Sequence, residues 1–380
     1  MHITSKLPQA ETSIFAVMSS LANEYNAINL SQGFPNFQVS RELINAVNQQ
    51  MLADKNQYAP MTGVLELRQA ISEKIKLLYN KDINFDTQIT ITAGATQALF
   101  TAITAFISSG DEAIIFEPAY DSYDPAVRLN GGIPKYISLT PPHFKIDWDE
   151  VQNAINERTK LLIFNTPNNP GGFVFDREDM LRLTEITRNT DIVVISDEVY
   201  EHIIFDDLQH QSALLFDELF DRTIAVYSFG KTFHATGWKM GYVVAPEKLM
   251  IEFRKVHQFN VFSVNTPIQY ALADYMKKPE NYINIPSFYQ SKRDFFVEAI
   301  KESRFKVLPS HGTYFQLLDY SAISKQDEFD FAVWLTKEIG VAAIPISSFY
   351  HDKKNQHLLR FAFPKDDDTL LRAAKILCEI

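Results

Sequence analysis

The chain has 380 residues, which favours two or three domains. Hydrophobic residues make up 46% of it and charged residues 22%, a composition typical of a globular protein with a large core rather than a disordered or fibrous one. Lys and Arg number 36 against 47 for Asp and Glu, and the resulting net charge of −11 argues against a protein that binds a nucleic-acid backbone.

The single cysteine, Cys378, excludes an intramolecular disulfide and a cysteine metal cage, and it favours a reducing, cytoplasmic location. The N-terminal residues lack an apolar stretch behind a basic head, so we expect no signal peptide. The longest apolar-rich run, Ala98 to Ile107, is too short to span a membrane.

In chain order, the pattern is mostly helical up to about residue 85. Short apolar, β-branched runs then alternate with amphipathic helical stretches, which is typical of βαβ units. The predicted strands lie at 88–93, 112–117, 134–139, 161–165, 192–197, 223–228 and 240–245. After about 247 the pattern is helical again, with a long helix predicted at 285–303. A small α/β pattern then follows: an apolar run at 312–317, a helix at 327–339 and a strand at 358–362.

These elements predict an α/β fold. We expect a large domain, residues 41–280, with a mostly parallel seven-stranded sheet covered by helices, because strands such as 161–165 are apolar on both faces. A smaller α/β domain is predicted at 281–380, joined by the N-terminal segment 1–40.

Polar and aromatic side chains follow the ends of the predicted strands, where open α/β sheets bind ligands. They are Thr96, Tyr120, Asn165, Asn169, Asp197, Tyr200, Ser228 and Lys231, and Thr96 belongs to a predicted helix start, Gly94-Ala95-Thr96. Taken singly, Asp197 could cap a helix, Lys231 could be a surface lysine and Asn168-Asn169 could form a turn. Together they suit pyridoxal phosphate, which requires a helix start for its phosphate, an acid facing its ring nitrogen, an aromatic stacking partner and a lysine.

The stretch from Ser228 to Tyr242, SFGKTFHATGWKMGY, resembles the lysine segment of class I aminotransferases of the aspartate aminotransferase fold. NTPNNPG at 165–171 and SDEVY at 196–200 resemble two further hallmarks of that family, in the same order, and the similarity runs from about Ile14 to the C-terminus. LSQGFP at 30–35 and FSVNTP at 262–267 look like the branch that holds kynurenine and bacterial methionine aminotransferases.

The resemblance implies pyridoxal 5'-phosphate as cofactor, with Lys231 as the Schiff-base lysine and, once released, the acid–base that moves the substrate proton. Asp197 would pair with the ring nitrogen, and Tyr120 would stack on the ring. Tyr200 and Asn169 would hydrogen-bond the phenolic oxygen.

The remaining implied contacts concern the phosphate and the substrate. The amides of Ala95 and Thr96, with Ser228 and Lys239, would hold the phosphate, and Tyr58 would reach it from the other subunit of a homodimer. Lys239 departs from the family's usual arginine, so the charge is kept but the fork geometry is lost, and phosphate binding is expected to be weaker or differently shaped. The substrate would be held by Arg360, at its α-carboxylate, and by Asn169, Gly33, Phe34 and Phe15.

The predicted activity is ping-pong transfer of an amino group from a neutral, sulfur-containing or aromatic L-amino acid to a 2-oxo acid. Methionine is favoured, because an apolar pocket would leave a second carboxylate unpaired. The alternatives are a kynurenine- or glutamine-type aminotransferase and a cysteine-conjugate C–S β-lyase using the same cofactor. A non-catalytic regulator is disfavoured, because the sequence shows neither an additional DNA-binding module nor a basic patch.

Three further motifs are not expected to carry function. Gly230-Lys231-Thr232 mimics the end of a P-loop, but Ala225 stands where the first glycine is needed. Glu198, Glu201 and His202 share a possible helix face, yet a second Glu-x-x-His motif is missing, so we expect a solvated or hydrogen-bonded face and no metal. Asp366-Asp367-Asp368 is predicted to lie at a helix N-terminus.

Overall fold

The computed structural model describes Met1, residues 3–8 and residues 10–380. Its strands are β1 Ile28–Asn29, β2 Ile89–Thr92, β3 Glu112–Glu117, β4 Ile133–Ser138, β5 Thr159–Asn165, β6 Val193–Asp197, β7 Thr223–Ser228, β8 Gly241–Val244, β9 Lys306–Val307, β10 Phe315–Asp319, β11 Val341–Ala342, β12 Ile344–Pro345 and β13 Leu358–Ala362.

Its α-helices are α1 Ile14–Glu24, α2 Arg41–Leu52, α3 Leu65–Tyr79, α4 Ala95–Phe106, α5 Tyr123–Leu129, α6 Trp148–Ala154, α7 Arg177–Thr187, α8 Asp217–Phe220, α9 Phe229–Thr232, α10 Glu247–Asn260, α11 Thr266–Met276, α12 Glu280–Ile283, α13 Ile285–Ala299, α14 Glu328–Trp334 and α15 Asp367–Cys378. Among the described residues, no helix combines the length and apolar character needed to cross a membrane.

The predicted α/β fold is confirmed. Seven strands form one sheet in the order β2-β8-β7-β6-β5-β3-β4, and each lies within two residues of its predicted bounds. All neighbours are parallel except β8, which runs antiparallel to both β2 and β7. The sheet therefore aligns the carboxyl ends of β3, β5, β6 and β7 along one edge.

Strand β5 is apolar on both faces because both faces of the sheet are covered, as expected. Leu161 and Ile163 pack into the core on one face of the sheet, whereas Leu162 and Phe164 pack into the core on the other face. All four side chains are at most 1% exposed. Helices thus cover both faces, and only the strand ends are available for polar chemistry.

A second sheet of antiparallel neighbours has the order β12-β13-β10-β9. β10 begins three residues after the start of the predicted apolar run, and α13 ends four residues before the predicted end of its helix. The helix predicted at 327–339 consists of α14 followed by a π-helical turn at Leu335–Ile339. β1 pairs in parallel with β11, so the N-terminal segment contacts the C-terminal third; the domain boundaries at 40 and 280 stay predictions.

The possible helix face at Glu198, Glu201 and His202 is wrong, because these residues lie in a turn that follows β6. All three are buried rather than solvated. Glu201 forms an ion pair with Lys74, and Glu198 accepts hydrogen bonds from Ser196 Oγ (2.8 Å) and the Ala213 amide (3.0 Å). Within the described ranges, no group of three or more acidic, histidine or cysteine side chains is arranged to hold a metal.

The acidic run at 366–368 lies at a helix start, as predicted. Asp366 caps α15 by accepting a hydrogen bond from the Thr369 amide at 2.8 Å, and Asp367 and Asp368 occupy its first turn.

Candidate active site

A cavity of about 160 Å³ lies at the carboxyl ends of the parallel strands. Nine of the predicted cofactor-binding residues line it, which are Ala95, Thr96, Tyr120, Asn169, Asp197, Tyr200, Ser228, Lys231 and Lys239. These residues come from six separate segments of the chain, and the edge of the sheet brings the segments together. Asn165, at the end of β5, also lines the cavity.

The start of a helix lines part of the cavity. Gly94, with φ +80°, precedes α4, so the amides of Ala95 and Thr96 belong to its first turn. The first amides of a helix lack intrahelical partners and favour negative charge. Lys239 lies against this turn: a Cβ added to Gly94 would be 3.5 Å from both the backbone carbon and Cε of Lys239.

Asp197 ends β6 and is 3% exposed. The Tyr123 hydroxyl donates to its Oδ2 at 2.6 Å, and the Val199 amide donates to its Oδ1 at 3.3 Å. Burial nevertheless raises the pKa of Asp197 to about 6. A buried carboxylate with a raised pKa favours a cationic partner, such as a protonated ring nitrogen.

Lys231 lies in the short helix α9, directly after β7. Its Nζ donates to Tyr314 Oη at 2.7 Å, and the Tyr314 hydroxyl donates to the Gly33 carbonyl at 2.6 Å. Nζ is also 5.4 Å from the centroid of the Tyr200 ring. Burial raises the pKa of Tyr200, so its phenol keeps its proton at neutral pH.

Arg360 comes from β13, on the second sheet, and is 1% exposed. Its Nη1 donates to Asn169 Oδ1 and its Nη2 donates to the Ser31 carbonyl, both at 2.8 Å. Its guanidinium carbon is 3.9 Å from the centroid of the Phe315 ring. Although burial lowers the pKa of Arg360 to about 10, the group stays cationic at neutral pH. Its Nε has no hydrogen-bond partner in the described part of the chain, so the site retains donor capacity for an anion.

The predicted substrate-binding residues fall into two groups. Phe15 contacts the site: its ring is 5.2 Å from the Arg360 guanidinium carbon and packs edge-on against Phe349 at 5.9 Å. Gly33 contributes its carbonyl to Tyr314. Phe34 is 45% exposed. Of the predicted substrate-binding residues, only Asn169 lines the cavity itself, and Arg360, Phe15, Gly33 and Phe34 lie outside its lining.

Tyr58 also lies outside the cavity of its own chain. It is 82% exposed and packs edge-on against Phe262, which is itself 54% exposed, at 5.4 Å. Its predicted role requires a second subunit.

The sequence interpretation missed Tyr123, Tyr314 and Phe315. Tyr123 lies three residues after Tyr120, and the other two fall in the apolar run predicted at 312–317. The strand-end rule identifies residues at the edge of one sheet, whereas these side chains reach the site from a helix start and from the second sheet. No local pattern distinguishes them from core aromatics.

Comparisons with known proteins agree with this geometry. The family model for class I and II aminotransferases matches residues 25–377. A methionine aminotransferase of Escherichia coli is 52% identical over 377 residues, covering 99% of this chain and 98% of that protein. Kynurenine–oxoglutarate transaminase 1 of Homo sapiens is 34% identical over 385 residues, covering 92% of this chain and 91% of that protein.

A crystal structure from Escherichia coli, reported to identify a methionine aminotransferase function, matches with a TM-score of 0.98 and 51% identity over the whole of both chains. The family match and these similarities cover nearly the full length, including both sheets and the residues that line the cavity. The chain therefore belongs to the class I and II aminotransferases.

Proposed function

We propose that this aminotransferase uses pyridoxal 5'-phosphate and takes methionine as its favoured amino donor. The observation that carries the proposal is the arrangement of Lys231 and Asp197 around one cavity with a helix start for an anion. The 52% identity to a methionine aminotransferase supports the choice of donor.

The residues present fit the cofactor. Ala95 and Thr96 at the start of α4, with Ser228 and Lys239, would hold its phosphate. Asp197, whose raised pKa favours a cationic partner, would pair with the ring nitrogen. The ring would stack on Tyr120, and its phenolic oxygen would accept from Asn169 and Tyr200. When bound, the cofactor supplies an electron-accepting ring that stabilises the electron pair left after loss of the substrate α-proton.

The protein's own part in the reaction is binding and proton transfer. Arg360 binds the α-carboxylate, while Asn169 and Ser31 hold two of its nitrogens in place. Lys231 Nζ, as the neutral amine, would accept the proton from the substrate α-carbon and return a proton to the cofactor carbon bonded to the amino nitrogen. Water would then release the donor as a 2-oxo acid, with the amino group left on the cofactor, and a second oxo acid would pass through the same steps in reverse.

The aromatic rings around Arg360 favour a methionine side chain. Phe15, Phe315 and Phe349 surround Arg360 with aromatic rings. A thioether makes favourable contacts with aromatic rings, whereas a second carboxylate there would be desolvated without a partner. Donors with neutral side chains are therefore expected over aspartate.

We also infer a homodimer in which Tyr58 enters the site of the partner subunit. The exposed pair Tyr58 and Phe262 supports this inference, because two neighbouring aromatics left exposed are typical of a protein interface.

The proposed function is tested with Lys231→Ala. Wild-type protein loaded with pyridoxal phosphate should absorb in the visible range, and the spectrum should change on adding methionine. The variant should lose this absorbance and at least about a thousandfold in turnover, since the proton carrier is gone.

A donor panel run in parallel compares methionine, phenylalanine, kynurenine and aspartate, and pyruvate release from a cysteine conjugate without an oxo acid would reveal a β-lyase. Normal turnover in Lys231→Ala would refute the catalytic assignment. Fast aspartate turnover with inert methionine would refute the donor assignment.

A further inference from the structure

A two-step hydrogen-bond chain starts at the catalytic lysine. Lys231 Nζ donates to Tyr314 Oη at 2.7 Å, and the Tyr314 hydroxyl donates to the Gly33 carbonyl at 2.6 Å. Because a phenol has only one proton, and that proton is directed to Gly33, the oxygen presents its lone pairs to Lys231. Tyr314 therefore acts as an acceptor with a fixed direction.

The Tyr314 ring is held rigidly. It is fully buried and contacts the rings of Tyr200, Phe315 and Tyr289 at centroid distances of 5.2, 4.9 and 5.7 Å. Burial raises its pKa, so the hydroxyl keeps its proton at neutral pH. These contacts leave the oxygen little freedom to follow a moving lysine.

The carbonyl that accepts from Tyr314 belongs to a segment, Ser31–Phe34, whose other carbonyls are also engaged. Arg360 donates to the Ser31 carbonyl, and Lys365 Nζ donates to those of Gln32 (3.4 Å) and Phe34 (2.7 Å). A Cβ on Gly33 would lie 2.7 Å from a ring carbon of Phe315, so only glycine allows this approach. The segment Ser31–Phe34 thus accepts hydrogen bonds from Tyr314, which contacts Lys231, and from Arg360 itself.

We propose that Tyr314 is a positioning residue, whose hydroxyl directs the Lys231 amine and links it through Gly33 to the segment that contacts Arg360. The inference rests on the proposed role of Lys231 as the proton carrier. Its consequence is that the amine and the carboxylate-binding group keep a fixed relative position while the lysine reacts.

The test compares Tyr314→Phe with Tyr289→Phe as the matched control. Both changes remove one hydroxyl from a buried ring packed among other aromatic rings, but the Tyr289 hydroxyl contacts His234 Nδ1 at 2.7 Å and does not touch Lys231. Equal thermal midpoints of the two cofactor-free variants would show that any difference between them is not a folding defect.

The first readout is independent of turnover. Cofactor-free protein is mixed with pyridoxal phosphate, and the visible absorbance is followed as the lysine nitrogen displaces the aldehyde oxygen, which leaves as water. Tyr314→Phe should slow this capture about tenfold, because the amine loses its direction, and Tyr289→Phe should match wild type.

The second readout is the isotope effect of α-deuterated methionine. In Tyr314→Phe, kcat should fall about tenfold with little change in KM, and the isotope effect on kcat should increase, because proton transfer becomes more rate-limiting. The inference would be overturned if Tyr314→Phe captured pyridoxal phosphate at the wild-type rate and also showed the wild-type isotope effect. Capture by Lys231→Ala would instead refute the proposed function, so the two failures are distinguishable.

Discussion

Asp197 shows how burial at a single residue prepares a site for a cation. The pKa of this carboxyl is about 6 in the folded chain, compared with an ordinary value of 3.8. The folded state therefore binds a proton more tightly than the unfolded state does. The associated stability is present at low pH and is lost as pH rises through about 4 to 6, up to about 3 kcal/mol in all.

In the cofactor-free protein, Asp197→Asn should abolish the loss of stability that accompanies the rise in pH. Asparagine keeps an acceptor for the Tyr123 hydroxyl but cannot ionise. The free energy of unfolding of the variant, relative to wild type, should rise by about 2 kcal/mol between about pH 4.5 and about pH 8. Urea unfolding of both proteins measures this difference, and a difference independent of pH would contradict the explanation.

At the scale of an element, the segment Ser31–Phe34 has no regular secondary structure and is held through its backbone carbonyls. Lys365 is 4% exposed, and its ammonium donates to two of these carbonyls. Burial lowers the pKa of Lys365 to about 8, so the charge that strengthens these bonds is lost as pH rises through that value.

Lys365→Met should therefore raise the KM for methionine about tenfold at neutral pH, since a hydrogen bond from a charged donor typically contributes about 1.5–3 kcal/mol. In wild type, KM should rise between about pH 7 and about pH 9, and the variant should lack this rise. Lys292→Met is the control, because that lysine pairs with Asp367 and, among the described contacts, donates to none of the segment's carbonyls. Equal KM profiles for wild type and Lys365→Met would disprove the role of the ammonium.

At the scale of the whole molecule, the proposed dimer makes each site depend on two chains. If Tyr58 enters the partner's site, Tyr58→Ala and Lys231→Ala homodimers are both defective. A mixed dimer has one site with the intact lysine and, from its partner, the intact tyrosine. Random mixing should restore about one quarter of wild-type turnover, because half of the dimers are mixed and each has one working site.

Coexpression of the two differently tagged variants gives the random mixture in which this recovery is measured, and purification of the mixed dimer should raise it to about one half of wild-type turnover. A mixture of Lys231→Ala with Lys231→Ala carrying the second tag is the control and should remain inactive. Absence of recovery in a verified mixed dimer would show that Tyr58 serves its own chain, and an active Tyr58→Ala homodimer would show that it serves neither site.

The seven strands of the large sheet, and the polar residues at their ends, could be predicted from the sequence alone. Runs such as 161–165 are local signals, and the carboxyl ends of parallel strands necessarily share an edge. Lys239 also lines the cavity, and the sequence pointed to it only through the resemblance to a family, since nothing in its neighbouring residues distinguishes it from a surface lysine.

The tertiary structure decided which side chains complete the site. Tyr314 reaches Lys231 from 83 residues away, and Arg360 reaches Asn169 from 191 residues away. It also showed that Glu198 and Glu201 lie in a buried turn, where the spacing had suggested a helix. The sequence by itself determined the sheet, its edge and the presence of Lys231 and Asp197 at that edge, because those depend on neighbouring residues. The direction of the lysine amine and the anchoring of the segment beside it depend on packing between two sheets, which only the folded chain specifies.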